Sequence, residues 1–499
     1  MKKATPWLLA AGSGLALAIA LPGAGWTPLL FLFPGLLLEA LERAPGRAAP
    51  WLLGWLAGTM HWVVATNWVV PVMHHYGGLP RPFAVGCLIG MGSYLGILWA
   101  LAAGITSMVP SRLRIWLFPV AWMALLVLQR LPPYGFTWTG VASAFVDQVW
   151  LMTSLAVWGA TGLGWCVVTV AAALWGFARK RTRRSAATAL IVAAAALILA
   201  VLVAPAPSPS GEGLTVAAIQ PGTSLEEKWD PTQSREIAER VFAMTATAAS
   251  RGANLVLWPE GAVPYRLDTD PVFSEGVERM ADELGVEIVL NSVGSLAGGG
   301  YTNSAYLVTP EGVSPTRYDK VHLVPFGEYV PRWARFAFTD SLVREVGAFT
   351  PGETPLVLPG RVPIGVAICF EVVFPDLATA EVLAGAELMT TLTNDGWYGF
   401  SWAPSQHFTQ VRLRAAETQR WFVRAALTGI SGFIDPFGRV VASTGVGETG
   451  LLIEVVRPMC GLTPRARWGD WWAVLCAIAS VVMVVAWRVP RRRRSPAKS

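Results

Sequence analysis

Eight apolar runs punctuate this 499-residue chain, at about 7–21, 27–41, 51–72, 82–109, 113–131, 148–177, 186–204 and 470–488. A helix needs roughly 20 apolar residues to cross a bilayer, and several of these runs reach that length. The first two are short and are broken by Pro22, Pro28 and Pro34. They are expected as tilted, re-entrant or bundle-packed segments. Lys2 and Lys3 ahead of the first run leave a signal peptide open, but the immediate succession of further runs favours a retained helix. Gly86/Gly90 and Gly92/Gly96 give the small-xxx-small spacing that lets two helices approach closely.

Between the seventh and eighth runs the pattern changes. Residues 205–213 (PAPSPSGEG) read as a linker. Short apolar strands at 214–219, 254–258, 287–291, 364–368 and 387–392 then alternate with helical stretches such as 231–251 and 407–418. That alternation predicts a layered α/β domain. The expected organisation is a membrane domain over 1–204 with seven spans, a linker over 205–213, and a catalytic domain over 214–469. A C-terminal transmembrane helix over 470–488 and a basic tail over 489–499 complete it.

Composition agrees with the runs. Charged residues make up only 14% of the chain, against about a quarter in soluble proteins, and the mean hydropathy is +0.46. The 24 tryptophans suit a chain with many membrane–water boundaries. The net charge of +6 is concentrated in two clusters, Arg179, Lys180, Arg181, Arg183 and Arg184, and Arg491, Arg492, Arg493, Arg494 and Lys498. These bases flank apolar runs, so they read as topology anchors and exclude a nucleic-acid-binding face. Eight spans put both termini on one side, together with Arg43, Arg47, Arg112, Arg114 and both clusters. By the positive-inside rule that side is the cytoplasm. The loops around 22–26, 73–81 and 132–147, and the long segment 205–469, then lie outside.

Of five cysteines, Cys87, Cys166 and Cys476 fall inside apolar runs and read as small buried hydrophobes. Cys369 and Cys460 fall in the polar part. An odd total without CxxC argues against a disulfide framework or a zinc site. A Cys369–Cys460 disulfide remains open in an oxidising compartment. His74 and His75 read as an interfacial polar loop. The five histidines are scattered without HExxH, and Gly298–Gly300 reads as a turn, so neither metal nor cofactor is implied.

Three stretches of the α/β segment each place a reactive side chain at or just after a strand end. In LVLWPE (255–260), an apolar strand runs out at Pro259 and Glu260 follows. Beside Trp258 its carboxylate is expected to lose solvent, which raises its pKa and suits a general base. On those six residues alone, a capping or surface glutamate is the commoner reading. In YDKVHLVPFGE (318–328), Lys320 precedes a Pro-Phe-Gly turn that ends at Glu328. A solvated lysine or a Lys320–Glu328 ion pair fits as well as a catalytic amine. In IGVAICFE (364–371), Cys369 ends a strand that reads as buried, and Glu371 follows two residues later. A cysteine there is usually inert packing, while the abrupt carboxylate marks a strand end opening into a site.

Taken together, with Glu, Lys and Cys in that chain order, these stretches resemble the nitrilase (carbon–nitrogen hydrolase) superfamily over about 214–456. The flanking runs and the segments KVHLVPFGEYVP (320–331) and TNDGWYG (393–399) are similar to one member family, the apolipoprotein N-acyltransferases, over essentially the whole chain. The resemblance implies a multi-pass α-helical membrane domain of about eight spans plus an extracytoplasmic nitrilase-like αββα sandwich. It implies Glu260 as general base, Lys320 as the oxyanion-stabilising amine and Cys369 as nucleophile. Glu328 would hold the lysine, and Glu371 matches a further required acid at the substrate site. Trp229 in EEKWDP, Phe326 and Trp397 match positions that line the substrate entrance. The family's common Cys-Tyr-Glu is Cys369-Phe370-Glu371 here, which keeps the oxyanion-hole N–H of residue 370 but not a tyrosine hydroxyl.

The activity so implied is acyl transfer from a membrane phospholipid, through a Cys369 thioester, to the α-amine of an apolipoprotein's N-terminal S-diacylglyceryl-cysteine. The order is ping-pong, on the outer side of a bacterial cytoplasmic membrane, by a monomer without metal or cofactor. The apolar 336–350 stretch, with Phe338 and Phe349, is expected as a lipid-facing lid. The competing reading is a membrane-anchored nitrilase-type amidohydrolase using the same three residues with water as acceptor. A transporter would need ionisable groups inside the spans, which are nearly free of charge.

Overall fold

The computed structural model describes residues 4–131, 135–330 and 349–492. The chain divides into two compact units, one of residues 1–74, 79–204 and 468–499, the other of residues 75–78 and 205–467. Most of the expected lid, Phe338 included, lies outside the described residues; Phe349 and Thr350 lie within them.

In the first unit each apolar run becomes helical. Thr5–Ala20, Ala49–Ala65 and Arg81–Ser107 all start with a proline in the first two positions, where its missing N–H costs nothing. Among the described residues, five helices are long and apolar enough to cross a membrane: Arg81–Ser107, Ser111–Arg130, Leu155–Phe177, Arg183–Val203 and Trp471–Arg488. The second run forms a 3₁₀ turn, Thr27–Phe31, and a short helix, Phe33–Glu42, separated by one residue. Of the two glycine pairs, only Gly92/Gly96 serves close packing. A Cβ at Gly96 would meet Thr59 N at 3.0 Å, whereas Gly86 and Gly90 face open space. Phe33, Trp99 and Trp122 fill the centre, with rings 5.0–6.0 Å apart.

The second unit is built on two six-stranded sheets. In chain order the strands are β1 (Leu214–Gln220), β2 (Leu255–Leu257), β3 (Glu287–Ser295), β4 (Tyr301–Thr309), β5 (Gly312–Asp319), β6 (Leu358–Pro359), β7 (Pro363–Ile368), β8 (Leu388–Thr393), β9 (Phe422–Ala426), β10 (Gly432–Ile434), β11 (Val440–Ser443) and β12 (Gly450–Val456). One sheet runs β12-β1-β2-β3-β4-β5 and the other β11-β10-β9-β8-β7-β6. The centres β1-β2-β3 and β7-β8-β9 are parallel. Strand side chains alternate between faces, and the burial follows. Val216 and Ala218 join Leu257, Ile364, Val366 and Val423 in the core between the sheets. Ala217 and Ile219 face the opposite way, against Val241 and Val277 of helices Ser234–Ser250 and Pro271–Leu284. Helices Pro375–Leu383 and Ala403–Thr418 accompany the other sheet. In such parallel arrangements ligands bind beyond the carboxyl ends of the strands, and Glu260 and Cys369 both follow such ends.

Candidate active site

Glu260, Lys320, Glu328 and Cys369, separated by up to 109 positions in the chain, meet at one place. After β2 the chain turns through Gly261 at φ +59°, where a side chain would run into Lys228 Nζ. Lys320 follows β5 and is 1% exposed. Its Nζ donates to Glu328 Oε1 at 2.9 Å and lies 3.5 Å from Glu260 Oε1. Glu328 also accepts from the Val324 N–H at 2.7 Å, which locks the Pro-Phe-Gly turn, with Phe326 at φ +64°. Cys369 follows β7 at φ +54°, a left-handed backbone that costs a non-glycine residue roughly 1–2 kcal/mol. The strained turn sets the thiol beside the charges of Glu260 and Lys320. Cys369 and Cys460 are both free thiols.

The electrostatics reverse one expectation. Burial alone raises the Glu260 pKa, but the Lys320 charge, the Asn303 hydrogen bond and the neighbouring Cys369 thiol outweigh it and hold the carboxyl below its usual range. Asn303 Nδ2 donates to Glu260 Oε1 at 2.9 Å and the Asn394 N–H to Oε2 at 3.0 Å. Burial, then the Glu260 charge, push the Cys369 thiol up against the weaker pull of Lys320. The resting pair is therefore a thiol beside a carboxylate. Lys320 does not by itself make a thiolate, because two carboxylates share its charge. Burial notwithstanding, those carboxylates keep Lys320 protonated, with its pKa well above the ordinary lysine value.

Glu371 departs from its expected place at the substrate. It is fully buried, and both oxygens are taken. Oε1 accepts from Tyr318 Oη at 2.8 Å and from the Val321 and His322 N–H groups at 2.7 and 3.0 Å. Oε2 accepts from the Ile368 N–H at 2.8 Å. Glu371 thus ties the Lys320 turn to the strand that ends at Cys369. The Phe370 ring is likewise buried, edge-on to Phe374 with centroids 5.2 Å apart. Trp229 and Trp397 do meet, at 5.6 Å, and Tyr76 packs on both, at 6.0 and 5.2 Å. Trp229 remains 52% exposed.

Sequence reasoning missed Asn303, whose Nδ2 bridges Glu260 and Glu328, the latter at 2.8 Å. Its signal was the run of three polar residues, Thr302, Asn303 and Ser304, inside the strand YTNSAY. It also missed Tyr76 and a buried group behind Cys369 made of Asp395, His407 and Arg424. The Arg424 and His407 charges hold Asp395 well below the usual carboxylate range despite burial.

Burial pushes Glu371 up to about 7, against Lys320 and the hydrogen bonds it accepts. A folded-state pKa above the unfolded one means folding takes up a proton between about pH 4.5 and 7. The stabilisation is complete below the unfolded pKa and is lost as pH rises through the folded one. It amounts to at most about 3 kcal/mol at 1.36 kcal/mol per unit. Burial, and then the Glu371 charge, push the nearby Glu381 well up in turn. Glu371→Gln should therefore flatten the fall in melting temperature of the full-length protein between pH 5 and 8. It should also lower stability by about 1–3 kcal/mol, because the amide NH₂ then faces the Ile368 N–H. An unchanged pH slope in the variant would refute this assignment.

Two stacked six-stranded sheets with helices outside them are the architecture of a carbon–nitrogen hydrolase domain, and the family model described as carbon-nitrogen hydrolase matches residues 215–465. A second, described as the apolipoprotein N-acyltransferase N-terminal domain, matches residues 13–173. The apolipoprotein N-acyltransferase of Geobacter metallireducens is 32% identical, over 97% of this chain and 95% of that protein. The one from Methylococcus capsulatus is 33% identical over 94% of each chain, and that from Gloeobacter violaceus 32% identical over 98% of this chain and 95% of its own. The chain belongs to the apolipoprotein N-acyltransferase family.

Proposed function

We propose that this acyltransferase moves an acyl chain from a membrane phospholipid, through a thioester on Cys369, to the α-amine of an apolipoprotein's N-terminal S-diacylglyceryl-cysteine. The observation that carries the reading is the convergence of Cys369, Glu260 and Lys320 at one strand-end site, with the thiol beside an ionised carboxylate. Glu260 takes the thiol proton as Sγ attacks the ester carbonyl. Lys320 and the Phe370 N–H stabilise the oxyanion. As the C–O bond breaks, Glu260 returns the proton to the departing lysophospholipid oxygen. The second substrate then offers its amine, Glu260 accepts a proton from it, and collapse of the tetrahedral species forms the amide and restores the thiol. Glu328 and Asn303 keep Lys320 and Glu260 in register. Glu371 holds the Lys320 turn on the Cys369 strand.

Trp229, Trp397 and Phe326 are assigned to the substrate entrance, with Tyr76 completing the aromatic cluster. The membrane arrangement belongs to the same reading: eight spans, both termini cytoplasmic, and residues 214–469 on the outer side of the bacterial inner membrane. Seven spans precede the 205–213 linker, and the last, 470–488, leads into the basic tail. The protein works as a monomer between two membrane-held substrates.

The test is the fate of a labelled acyl group. Full-length protein in detergent, given phospholipid labelled in its acyl chain, should acquire hydroxylamine-sensitive label and pass it to a diacylglyceryl-cysteine peptide. Label released only as free fatty acid would favour the amidohydrolase. No label on the protein, with several phospholipids tried, would remove the thioester mechanism.

A further inference from the structure

Behind the nucleophile lies a buried polar group that the reaction scheme does not use. His407, on helix Ala403–Thr418, sends Nε2 to the Cys369 carbonyl oxygen at 3.0 Å. A carbonyl can only accept, so Nε2 carries a hydrogen whatever the charge of the ring. Its other nitrogen, Nδ1, lies 2.9 Å from Asp395 Oδ1 and 3.1 Å from Arg424 Nη2. Arg424 Nη2 donates to Asp395 Oδ2 at 2.6 Å, and its Nε donates to the Ile430 carbonyl at 3.1 Å. Thr393 Oγ1 donates to Asp395 Oδ1 at 3.1 Å. His407, Asp395 and Arg424 are all essentially without solvent exposure. The ring is thus fixed from behind by two charged partners, one just past the end of β8 and the other within β9, and its outward donor points at one backbone atom.

That atom belongs to the peptide joining Cys369 to Phe370. The peptide is planar and trans, so its N–H points opposite to its C=O. Holding the carbonyl from one side therefore aims the Phe370 N–H to the other. A hydrogen bond accepted by the carbonyl also polarises the amide and strengthens its N–H as a donor. The left-handed backbone at Cys369 means this orientation is not the one the strand would supply unaided.

We infer that His407, anchored by Asp395 and Arg424, orients and polarises the Cys369–Phe370 peptide so that the Phe370 N–H completes the oxyanion hole opposite Lys320. His407 is a positioning residue. It touches neither substrate nor thiol and acts only where an oxyanion forms. The inference rests on the thioester reading above and deepens it.

The experiment compares two reactions of the same thiol in the full-length protein. Thioester formation from labelled phospholipid passes through a tetrahedral oxyanion. Alkylation of Cys369 by iodoacetamide uses the thiol and Glu260 but displaces iodide at a saturated carbon, with no oxyanion. His407→Leu should slow thioester formation roughly tenfold to a hundredfold, with the lipid KM little changed, while alkylation stays within about twofold of wild type. His407→Gln, whose amide can still donate to the carbonyl, should recover most of the loss. Parallel falls in both reactions would make His407 a structural support of the thiol, and no fall in either would remove it from the site; both results overturn the inference. Should the leucine variant fail to fold, the glutamine variant carries the test through the same ratio. A fall of a few-fold in thioester formation alone supports the inference, and equal rates or equal falls overturn it. Wild-type protein that is alkylated yet never acylated would instead remove the thioester reading itself.

Discussion

Cys369→Ala is expected to abolish both the hydroxylamine-sensitive acyl label and its transfer to peptide, and Cys369→Ser to leave less than about one part in 10³ of the acylation rate. The two losses have different causes. Alanine removes the nucleophile, and it leaves the charged group of Lys320, Glu260 and Glu328 intact. The variant should fold, bind phospholipid and do nothing with it. Serine keeps a hydroxyl within reach, but a hydroxyl is far less acidic than a thiol, and Glu260, held below the ordinary carboxylate range by Lys320, is too weak a base for it. Any acyl-serine that did form would be an oxygen ester, slower to yield to an amine than a thioester. The serine variant should therefore accumulate traces of label that resist mild hydroxylamine and do not pass to peptide. Single-turnover labelling followed by addition of the peptide separates these outcomes. Transfer that persists in Cys369→Ala would place the nucleophile elsewhere in the chain.

The parts legible in the sequence were those that local pattern controls. Each apolar run became helical, because length and hydropathy decide that without reference to partners. Glu260, Lys320 and Cys369 stood out because strands ran out beside them. What pairing over long separations controls did not show. Glu260 was expected to have a raised pKa from its neighbour Trp258; its pKa is lowered because Lys320, sixty positions away, sits 3.5 Å off. Glu371 was expected at the substrate, yet the Lys320 turn wraps it completely. Gly86/Gly90 matched the same spacing as Gly92/Gly96, and only which face meets the neighbouring helix distinguishes them. Asn303 and His407 act through hydrogen bonds to residues 43 and 38 positions away. Without those partners an asparagine in a strand and a histidine in a helix carry no label of function.

Lys320→Met should cut thioester formation by about 10³-fold or more, since loss of a single oxyanion donor costs roughly 10²–10³ and here the base is disturbed as well. Removing the ammonium leaves Glu260 and Glu328 both bonded to Asn303 Nδ2, with the charge of Lys228 still acting on Glu260 but the cation between the two carboxylates gone. Two carboxylates that close in a dry site cannot both stay ionised. One takes up a proton, so the pKa of the general base rises. The acidic limb of whatever activity remains should then move to higher pH. Breaking a buried pair by deleting one partner also costs about 3–5 kcal/mol, part of which that protonation relieves. The two effects separate in a double variant. Lys320→Met combined with Glu328→Gln removes the surplus carboxylate, so its melting temperature should recover most of the single variant's loss, while thioester formation stays low. Recovery of both would mean that Lys320 serves only to neutralise Glu328. Recovery of stability alone would place its positive charge at the oxyanion, where only a cation can do the work.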